Sequence, residues 1–185
     1  MRARYLLGFL VGIGLIILVL ILIVKSIIGP SQTPAKPLLD YAGTNAVVKM
    51  TIDGPEVSNQ NHQSVQIVVN QYQSEINIIS GYQGSVVSSK SYTNNQAAYA
   101  VFLRALDLAG YSKGNTNPSA TDYRGFCPFG DRYIYELSDH GSDIEYFWST
   151  SCGGQGTFGG NVATVNALFA DQIPDYNTLT NNVQF

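Results

Sequence analysis

The sequence feature that most constrains the fold is an uncharged apolar run of twenty residues, Tyr5–Val24. At 1.5 Å rise per residue, a helix of this length is about 30 Å long, which matches the hydrocarbon thickness of a bilayer. A helix also pairs all of its own backbone groups in lipid, where no water can do so. The run therefore predicts one transmembrane helix, with residues 25–185 following it on one side of the membrane.

Basic residues set the expected orientation of this helix. Arg2 and Arg4 precede the run together with the terminal amine, whereas Lys25 follows it. Because the flank richer in basic residues stays inside, residues 1–4 are predicted to be cytoplasmic and the main domain extracytoplasmic. A cleaved signal peptide is the competing interpretation. Its apolar region would be about 7–15 residues long and would end in an Ala-x-Ala-like site, which residues 26–30 do not offer.

Two glycines within the run form a helix-packing motif. Gly8 and Gly12 match GxxxG, whose small residues let two membrane helices approach closely and thus favour self-association. Glycine is also frequent in membrane helices for other reasons, so both interpretations stay open.

The composition changes directly after the apolar run. Pro30, Pro34 and Pro37 lie among Ser, Gln, Thr and Lys, so residues 25–45 are predicted to form an extended, semi-rigid stalk. The remaining residues, 46–185, suffice for one domain with its own hydrophobic core.

Charge excludes one class of partner for this domain. Seven of the 10 basic residues and all 13 acidic residues lie after Pro30, a balance of −6. Nucleic acids require basic patches, so no nucleic-acid partner is predicted. Polarity comes mostly from Asn, Gln, Ser and Thr, with 12 tyrosines in the chain. Such a surface binds through hydrogen bonds and aromatic area rather than through charge.

Four strands are predicted first in this domain. Ala46–Ile52 is rich in β-branched residues and stops at the turn Asp53-Gly54-Pro55. Ser64–Val69 and Glu75–Ile79 each alternate apolar with polar residues, and the short interval between them predicts a hairpin. Ser85–Thr93 has few apolar residues and is predicted to be an edge strand.

The periodicity then changes to that of a helix. Apolar residues three or four apart mark Gln96–Ala109, with Asn95 as the N-cap and Gly110 as the glycine that ends the helix. A second, shorter helix is predicted over residues 161–170, with Asn161 as its cap. Beyond it the tail is polar.

Two further strands, Arg132–Leu137 and Ile144–Ser149, are predicted on either side of a turn. Residues 111–126 show neither periodicity and are predicted to form a long loop. Strands joined by short turns favour an antiparallel sheet. The predicted fold class is therefore α+β, with an N-terminal transmembrane helix followed by an antiparallel sheet of about six strands and two helices.

Cys127 and Cys152 are the only cysteines, and both follow the predicted anchor. An even pair in an oxidising compartment indicates a disulfide. This bond would join the start of the fifth strand to the end of the sixth, which are neighbours in an antiparallel pair. Closing a loop of about 25 residues would stabilise the domain by about 3 kcal/mol.

An enzyme is the alternative interpretation of the same cysteine. The segment Ser149–Gly153, preceded by His140-Gly141, resembles the motif of the L,D-transpeptidases, which are cell-wall enzymes. The resemblance implies Cys152 as nucleophile and His140 as its base. The match departs at Ser151, where the family has glycine, and no arginine follows within two residues. A cysteine nucleophile also needs a neighbouring base to form thiolate, and the chain has only two histidines.

A glycine-rich segment after the sixth strand matches GxGxxG, the pattern with which a helix N-terminus cradles phosphate. No parallel strand or acidic residue follows at the spacing that a dinucleotide site requires, so no cofactor is predicted. The segment is predicted either to let backbone pass close to backbone or to contact an anion or a glycan. The candidate binding residues are Gly154, Gly156, Thr157, Phe158, Gly159 and Asn161.

Aromatic residues lie on both faces of the last predicted hairpin. One face is expected in the core, and the other is a candidate surface for stacking on sugars or anchoring a protein partner. The candidate contact residues are Tyr133, Tyr135, Tyr146 and Trp148. No metal site is predicted, because the acidic residues of this hairpin have the spacing of an ordinary solvated turn.

Several short motifs of the domain form a recognisable set. They are Arg124–Pro128, Trp148–Gly154, Gly156–Asn161, Leu168-Phe169 and Gln172–Tyr176. Together they resemble a family of small uncharacterised membrane-anchored proteins of Saccharibacteria and related candidate-phyla bacteria, over residues 46–185. The resemblance implies a surface location on a reduced, host-attached bacterium and carries over no catalytic residue.

The function predicted from the sequence is that of a membrane-anchored domain at the cell surface that binds rather than catalyses. Its partner is predicted to be a cell-envelope component, another surface protein or a second copy of the chain. The Cys152–His140 enzyme is the alternative. A pilin-like filament subunit is a third interpretation, for which the sequence lacks both the short basic leader ending in Gly and the Glu that follows it.

Overall fold

A computed structural model describes Ile17 and residues 36–183 of the chain. The chain divides into two units, residues 1–35 and 36–185, and every element below belongs to the second. The predicted transmembrane run, apart from Ile17, lies outside the described residues, as do its GxxxG motif and most of the predicted stalk. Among the described residues, no helix combines the length and the apolar character that crossing a bilayer demands.

A six-stranded antiparallel sheet forms the centre of the second unit, and the unit is α+β as predicted. The strand order is β4-β3-β2-β1-β5-β6. β1 pairs with β2 on one side and with β5 on the other, so the last hairpin and the first four strands share one sheet. The predicted β2–β3 hairpin and the edge position of β4 are confirmed. The strands are β1 (Val47–Asp53), β2 (Gln63–Val69), β3 (Gln73–Ser80), β4 (Ser85–Thr93), β5 (Arg132–Asp139) and β6 (Ser142–Thr150).

Two of the helices in the described residues are those predicted, α1 (Gln96–Ala109) and α2 (Val162–Ala170). The Asn95 side chain accepts a hydrogen bond from the backbone of the first turn of α1, which satisfies one of its free amides. Gly110 ends α1 with a φ of 81°, a left-handed conformation that favours glycine. Asn161 caps α2 in the same way as Asn95 caps α1.

A third helix, α3 (Tyr176–Thr180), corrects the prediction of two helices and a polar tail. Pro174 precedes this short helix and does not prevent it, because proline is unfavourable inside a helix but not before one. Tyr176 and Leu179 pack against the core, and their burial stabilises a turn that the polar composition of the tail does not predict.

The hydrophobic core lies between one face of the sheet and the helices. Val48, Met50 and Ile52 of β1 are buried, and each lies opposite an apolar residue of β2. The helices contribute aromatic rings, and Phe102 of α1 meets Phe169 of α2 edge to face at 5.2 Å. Because side chains alternate along a strand, the residues between these positions point to the opposite face of the sheet.

The domain begins earlier than the sequence predicts. Residues 36–45 are expected in the proline-containing stalk, but Leu38–Tyr41 forms a 3₁₀ helix. Leu38 and Tyr41 are buried in the core. Pro37 immediately precedes this helix, where its missing N–H is no loss. The compact unit therefore starts at Lys36 rather than at residue 46.

Candidate functional site

A cavity of mixed polar and apolar lining lies on the sheet face opposite the helices, at the end where β1 finishes and β5 starts. We call it the sheet cavity. Its volume is about 610 Å³, within the range of small-molecule sites. It is lined by Thr51, Asp53, Glu56, His62, Ser64, Ile79, Gly81, Tyr82, Gly84, Tyr123, Arg124 and Arg132.

A charged cluster centred on the buried Arg132 forms the base of the sheet cavity. The Arg132 side chain is only 2% exposed. Its Nε donates to Asp53 Oδ2 at 3.0 Å, its Nη1 donates to Glu56 Oε1 at 3.2 Å, and its Nη2 donates to the Gly54 carbonyl. Asp53 and Arg132 face each other across the β1–β5 pairing. The guanidinium is therefore held on three sides, and its planar fork leaves it little freedom to reorient.

His62 lies beside Asp53 and is almost completely buried. Its Nε2 is 3.0 Å from Asp53 Oδ1, although the two are oriented so that no hydrogen bond forms, and its Nδ1 has no partner among the described residues. The imidazole ring stacks on Tyr82, with the ring centroids 4.0 Å apart and the planes 25° apart. His62 thus connects the charged cluster to an aromatic ring at the rim.

Tyr82 is held at the rim with much of its ring exposed. Its hydroxyl donates to the Val57 carbonyl at 2.9 Å and accepts from the Val57 amide at 3.1 Å. Its own amide donates to Asn59 Oδ1 at 2.9 Å. Although one side of the ring stacks on His62, the residue is 53% exposed. A ring fixed at both ends loses little conformational freedom when a ligand contacts it.

The long loop between α1 and β5 supplies another side of the sheet cavity through Tyr123 and Arg124. Burial raises the pKa of the Tyr123 phenol above its ordinary value, and the Asp53 carboxylate raises that pKa further. The phenol therefore stays protonated at neutral pH and is available as a hydrogen-bond donor. Arg124 lies at the exposed rim, where its Nη2 is 2.7 Å from Asp122 Oδ2.

The disulfide predicted from the sequence is confirmed, and it fixes this loop. Cys127 and Cys152 are bonded, with their Cα atoms 5.8 Å apart, so the loop is joined to the residues just beyond β6. The same stretch of loop also holds Glu56. The Glu56 amide donates to the Pro128 carbonyl at 2.8 Å, and the Gly125 amide donates to Glu56 Oε1 at 3.2 Å. The disulfide thereby supports one of the carboxylates that satisfy Arg132.

The charges that line the sheet cavity are balanced. Asp53 and Glu56 are acidic, Arg124 and Arg132 are basic, and each arginine is already paired with a carboxylate. Little positive charge is left over to attract an anion. The lining also includes the hydroxyl groups of Thr51, Ser64 and Tyr123, whereas the Tyr82 hydroxyl is already bonded to Val57. The arrangement can form many hydrogen bonds with a polar ligand.

The Cys152–His140 pair of the alternative interpretation is not assembled in the described residues. Cys152 Sγ is bonded to Cys127, so it is not a thiol. His140 lies in the turn between β5 and β6, whereas Cys152 follows the other end of β6. A nine-residue strand such as β6 is about 30 Å long, so the imidazole is far from the sulfur.

The glycine-rich candidate loop lies along the outer edge of β6 rather than in the sheet cavity. Gly156 bridges Ser149, and the amides of Thr157 and Phe158 both donate to the Trp148 carbonyl at 2.9 Å. Gly156 has a φ of 136°, and a Cβ at this position would lie 2.9 Å from the Ser149 Cα. Glycine is therefore required here for a close approach of two backbones.

The other candidates in this loop also make internal contacts. The Phe158 ring lies 4.4 Å from the Tyr135 ring, the Gly159 amide donates to the Lys113 carbonyl at 2.8 Å, and Asn161 caps α2. Gly154 is at the exposed tip, with a φ of 72°. These contacts support the packing interpretation of the motif, and binding of an anion or a glycan by the loop stays a prediction.

Two of the four aromatic candidates face the helices. Tyr135 is fully buried, and its hydroxyl donates to Asn166 Oδ1 of α2 at 2.7 Å. Tyr133 is half-buried and packs against the same core. The prediction of a contact surface is therefore wrong for Tyr135, because the core of the domain covers it.

The other two aromatic candidates lie on the opposite face, and the long loop covers one of them. Trp148 is 4% exposed, its Nε1 donates to the Ala120 carbonyl at 2.7 Å, and the Phe126 ring lies 4.9 Å from it. Tyr146 is half-buried. The predicted exposed aromatic surface is wrong for Trp148, because a loop without periodicity folds over the residue.

The residues that form the sheet cavity are not identified from the sequence. Asp53 is interpreted only as part of a turn and Arg132 only as the start of a strand, whereas Tyr82 and His62 are given no place in a site. One signal was available: opposite charges end β1 and begin β5, and they meet if these strands pair antiparallel. Within residues 36–183, no three His, Cys, Asp or Glu side chains are placed to hold a metal ion.

Comparison with known proteins assigns no relatives, since neither a protein-family model nor a curated protein matches the chain. The resemblance to the Saccharibacterial family therefore stays a prediction.

The Arg132 cluster generates a first prediction about stability. Replacing Arg132 with Met keeps an apolar stem of similar reach but leaves the largely buried Asp53 carboxylate without its arginine partner. We expect the free energy of unfolding of residues 36–185 to fall by about 3–5 kcal/mol, measured by chemical denaturation.

Arg124→Met is the matched control, since it removes the same group from a pair that is exposed to solvent. Such pairs contribute little to stability because water and salt screen them. We expect no measurable change in this variant. Equal losses in the two variants would contradict the structural role given to Arg132.

Proposed function

We propose that this chain is a membrane-anchored, extracytoplasmic domain that binds a component of the cell surface through the sheet cavity. The observation that carries the proposal is the preformed cavity of about 610 Å³. It combines a concave shape, fixed polar groups and an exposed aromatic ring, which are the features of ligand sites in proteins. A second pocket, beside β6 of the last hairpin, is smaller, at about 240 Å³.

The rigidity of the sheet cavity supports a binding role. Arg132 is held by three acceptors, Tyr82 by its hydroxyl and its amide, and the long loop by the Cys127–Cys152 disulfide. A ligand that enters such a site does not have to order these side chains. Less conformational entropy is then lost on binding, and more of the interaction energy becomes affinity.

Two observations support the location outside the cytoplasm. The uncharged run Tyr5–Val24 has the length of a membrane span. The Cys127–Cys152 disulfide is typical of oxidising compartments and rare in the cytosol. An extracytoplasmic domain with a ligand cavity and without a free thiol in its described part is suited to recognition at the surface.

The location is tested by thiol labelling in intact cells. A membrane-impermeant maleimide should label the chain only after treatment with an impermeant reductant, because Cys152 is exposed but oxidised. Ala3→Cys is the control, since a cysteine in the predicted cytoplasmic segment should react only after lysis. Labelling of the native chain without reductant, or of Ala3→Cys in intact cells, would contradict the proposed topology.

The binding role is tested by photo-crosslinking in intact cells. A photoreactive aromatic amino acid replaces Arg124, whose side chain is exposed at the rim of the sheet cavity. In a second variant it replaces Tyr72, which is equally accessible but lies at the opposite end of β3 from Tyr82. We expect several times more adduct with surface components at position 124 than at position 72. Equal yields at the two positions, or adducts at position 72 alone, would contradict the proposal.

A further inference from the structure

We propose that the ligand of the sheet cavity is a neutral oligosaccharide, with one sugar ring stacked on Tyr82. This inference rests on the proposed function, because it names the ligand class of the same site.

Tyr82 provides a stacking surface for a pyranose ring. The C–H groups on one side of a sugar ring form an apolar patch that packs well on an aromatic face. The Tyr82 ring rests on His62 at 4.0 Å and the residue is 53% exposed, so it offers apolar area at the rim of the sheet cavity. Its two hydrogen bonds to Val57 keep the ring in one orientation.

Other groups that line the sheet cavity match the hydroxyls of a sugar. Each sugar hydroxyl can both donate and accept a hydrogen bond. Glu56 uses Oε1 for Arg132 and Gly125, whereas its Oε2 has no hydrogen bond among the described residues, and the side chain is 40% exposed. It can accept from a hydroxyl, and hydrogen bonds to a charged acceptor are the stronger kind. The Tyr123 phenol can donate, and Ser64 can do either.

Charge argues against an anionic ligand such as a phosphate or an acidic glycan. Arg132 is bound to Asp53 and Glu56, and Arg124 is bound to Asp122. An anion would meet these carboxylates without gaining an unpaired cation. A neutral ligand avoids that repulsion.

The position of the sheet cavity argues against an extended peptide. Peptides often bind by adding a strand to the open edge of a sheet. The cavity lies instead over β1 and its neighbours β2 and β5, and each of these three strands is paired on both sides. A peptide backbone therefore finds no unpaired strand there, whereas a ligand that bonds to side chains does.

The experiment is isothermal titration calorimetry on the full chain in phospholipid nanodiscs, which avoid the sugar headgroups of common detergents. The neutral probes are cellotetraose and the N-acetylglucosamine tetramer, and the anionic probe of equal length is tetragalacturonate. We expect at least one neutral probe to bind and tetragalacturonate to bind more weakly. Tyr82→Ala should weaken binding by about tenfold, the usual contribution of an aromatic stack.

Two further variants make the result decisive. Tyr72→Ala removes an exposed tyrosine far from the cavity and should leave the affinity unchanged. Tyr82→Trp preserves a stacking surface and should retain binding, so it answers the question even if Tyr82→Ala folds poorly. The inference is overturned if neither neutral probe binds, if tetragalacturonate binds more tightly, or if Tyr82→Trp loses binding as fully as Tyr82→Ala. Adducts at position 124 in cells together with no binding of neutral probes would overturn the sugar assignment while leaving the proposed function standing.

Discussion

Arg132 brings a positive charge into a nearly water-free position, and the chain around it is arranged to satisfy that charge. Asp53 reaches it from the end of β1, and the Gly54 carbonyl and Glu56 reach it from the segment that follows. These acceptors come into range only because β1 and β5 are neighbours in the sheet. Two of the residues that satisfy Arg132, Asp53 and Glu56, also line the sheet cavity, so the stability of this corner and the shape of the candidate site have the same origin.

The disulfide extends this arrangement to the long loop. The long loop has little regular structure, and it carries Tyr123 and the contacts to Glu56. Without the Cys127–Cys152 bond, ordering this loop would cost a large amount of conformational entropy. The bond thus has a local consequence beyond the overall stability of the domain, since it holds one side of the cavity in place.

The parts of the fold that the sequence predicts are those that local patterns determine. The alternation in β2 and β3, the Asn95 cap and Gly110 of α1 all depend on residues close in the chain, and two cysteines allow one pairing. The sheet cavity depends instead on residues far apart, since Asp53, Tyr82 and Arg132 meet only through the β1–β5 pairing and the β3–β4 turn. A buried arginine is also contrary to the usual distribution of charged residues. The positions of Trp148 and Leu38 are predicted wrongly for a related reason. Segments without periodicity give no sign of what they cover.

The central claim is that the sheet cavity is where this chain meets its ligand, and amide hydrogen exchange tests it most directly. Exchange would be measured by mass spectrometry on the full chain in nanodiscs, with and without a neutral tetrasaccharide. The account predicts slower exchange in residues 81–84 and 121–125 when the sugar is present. Protection confined to the glycine-rich loop at residues 153–161 would contradict it.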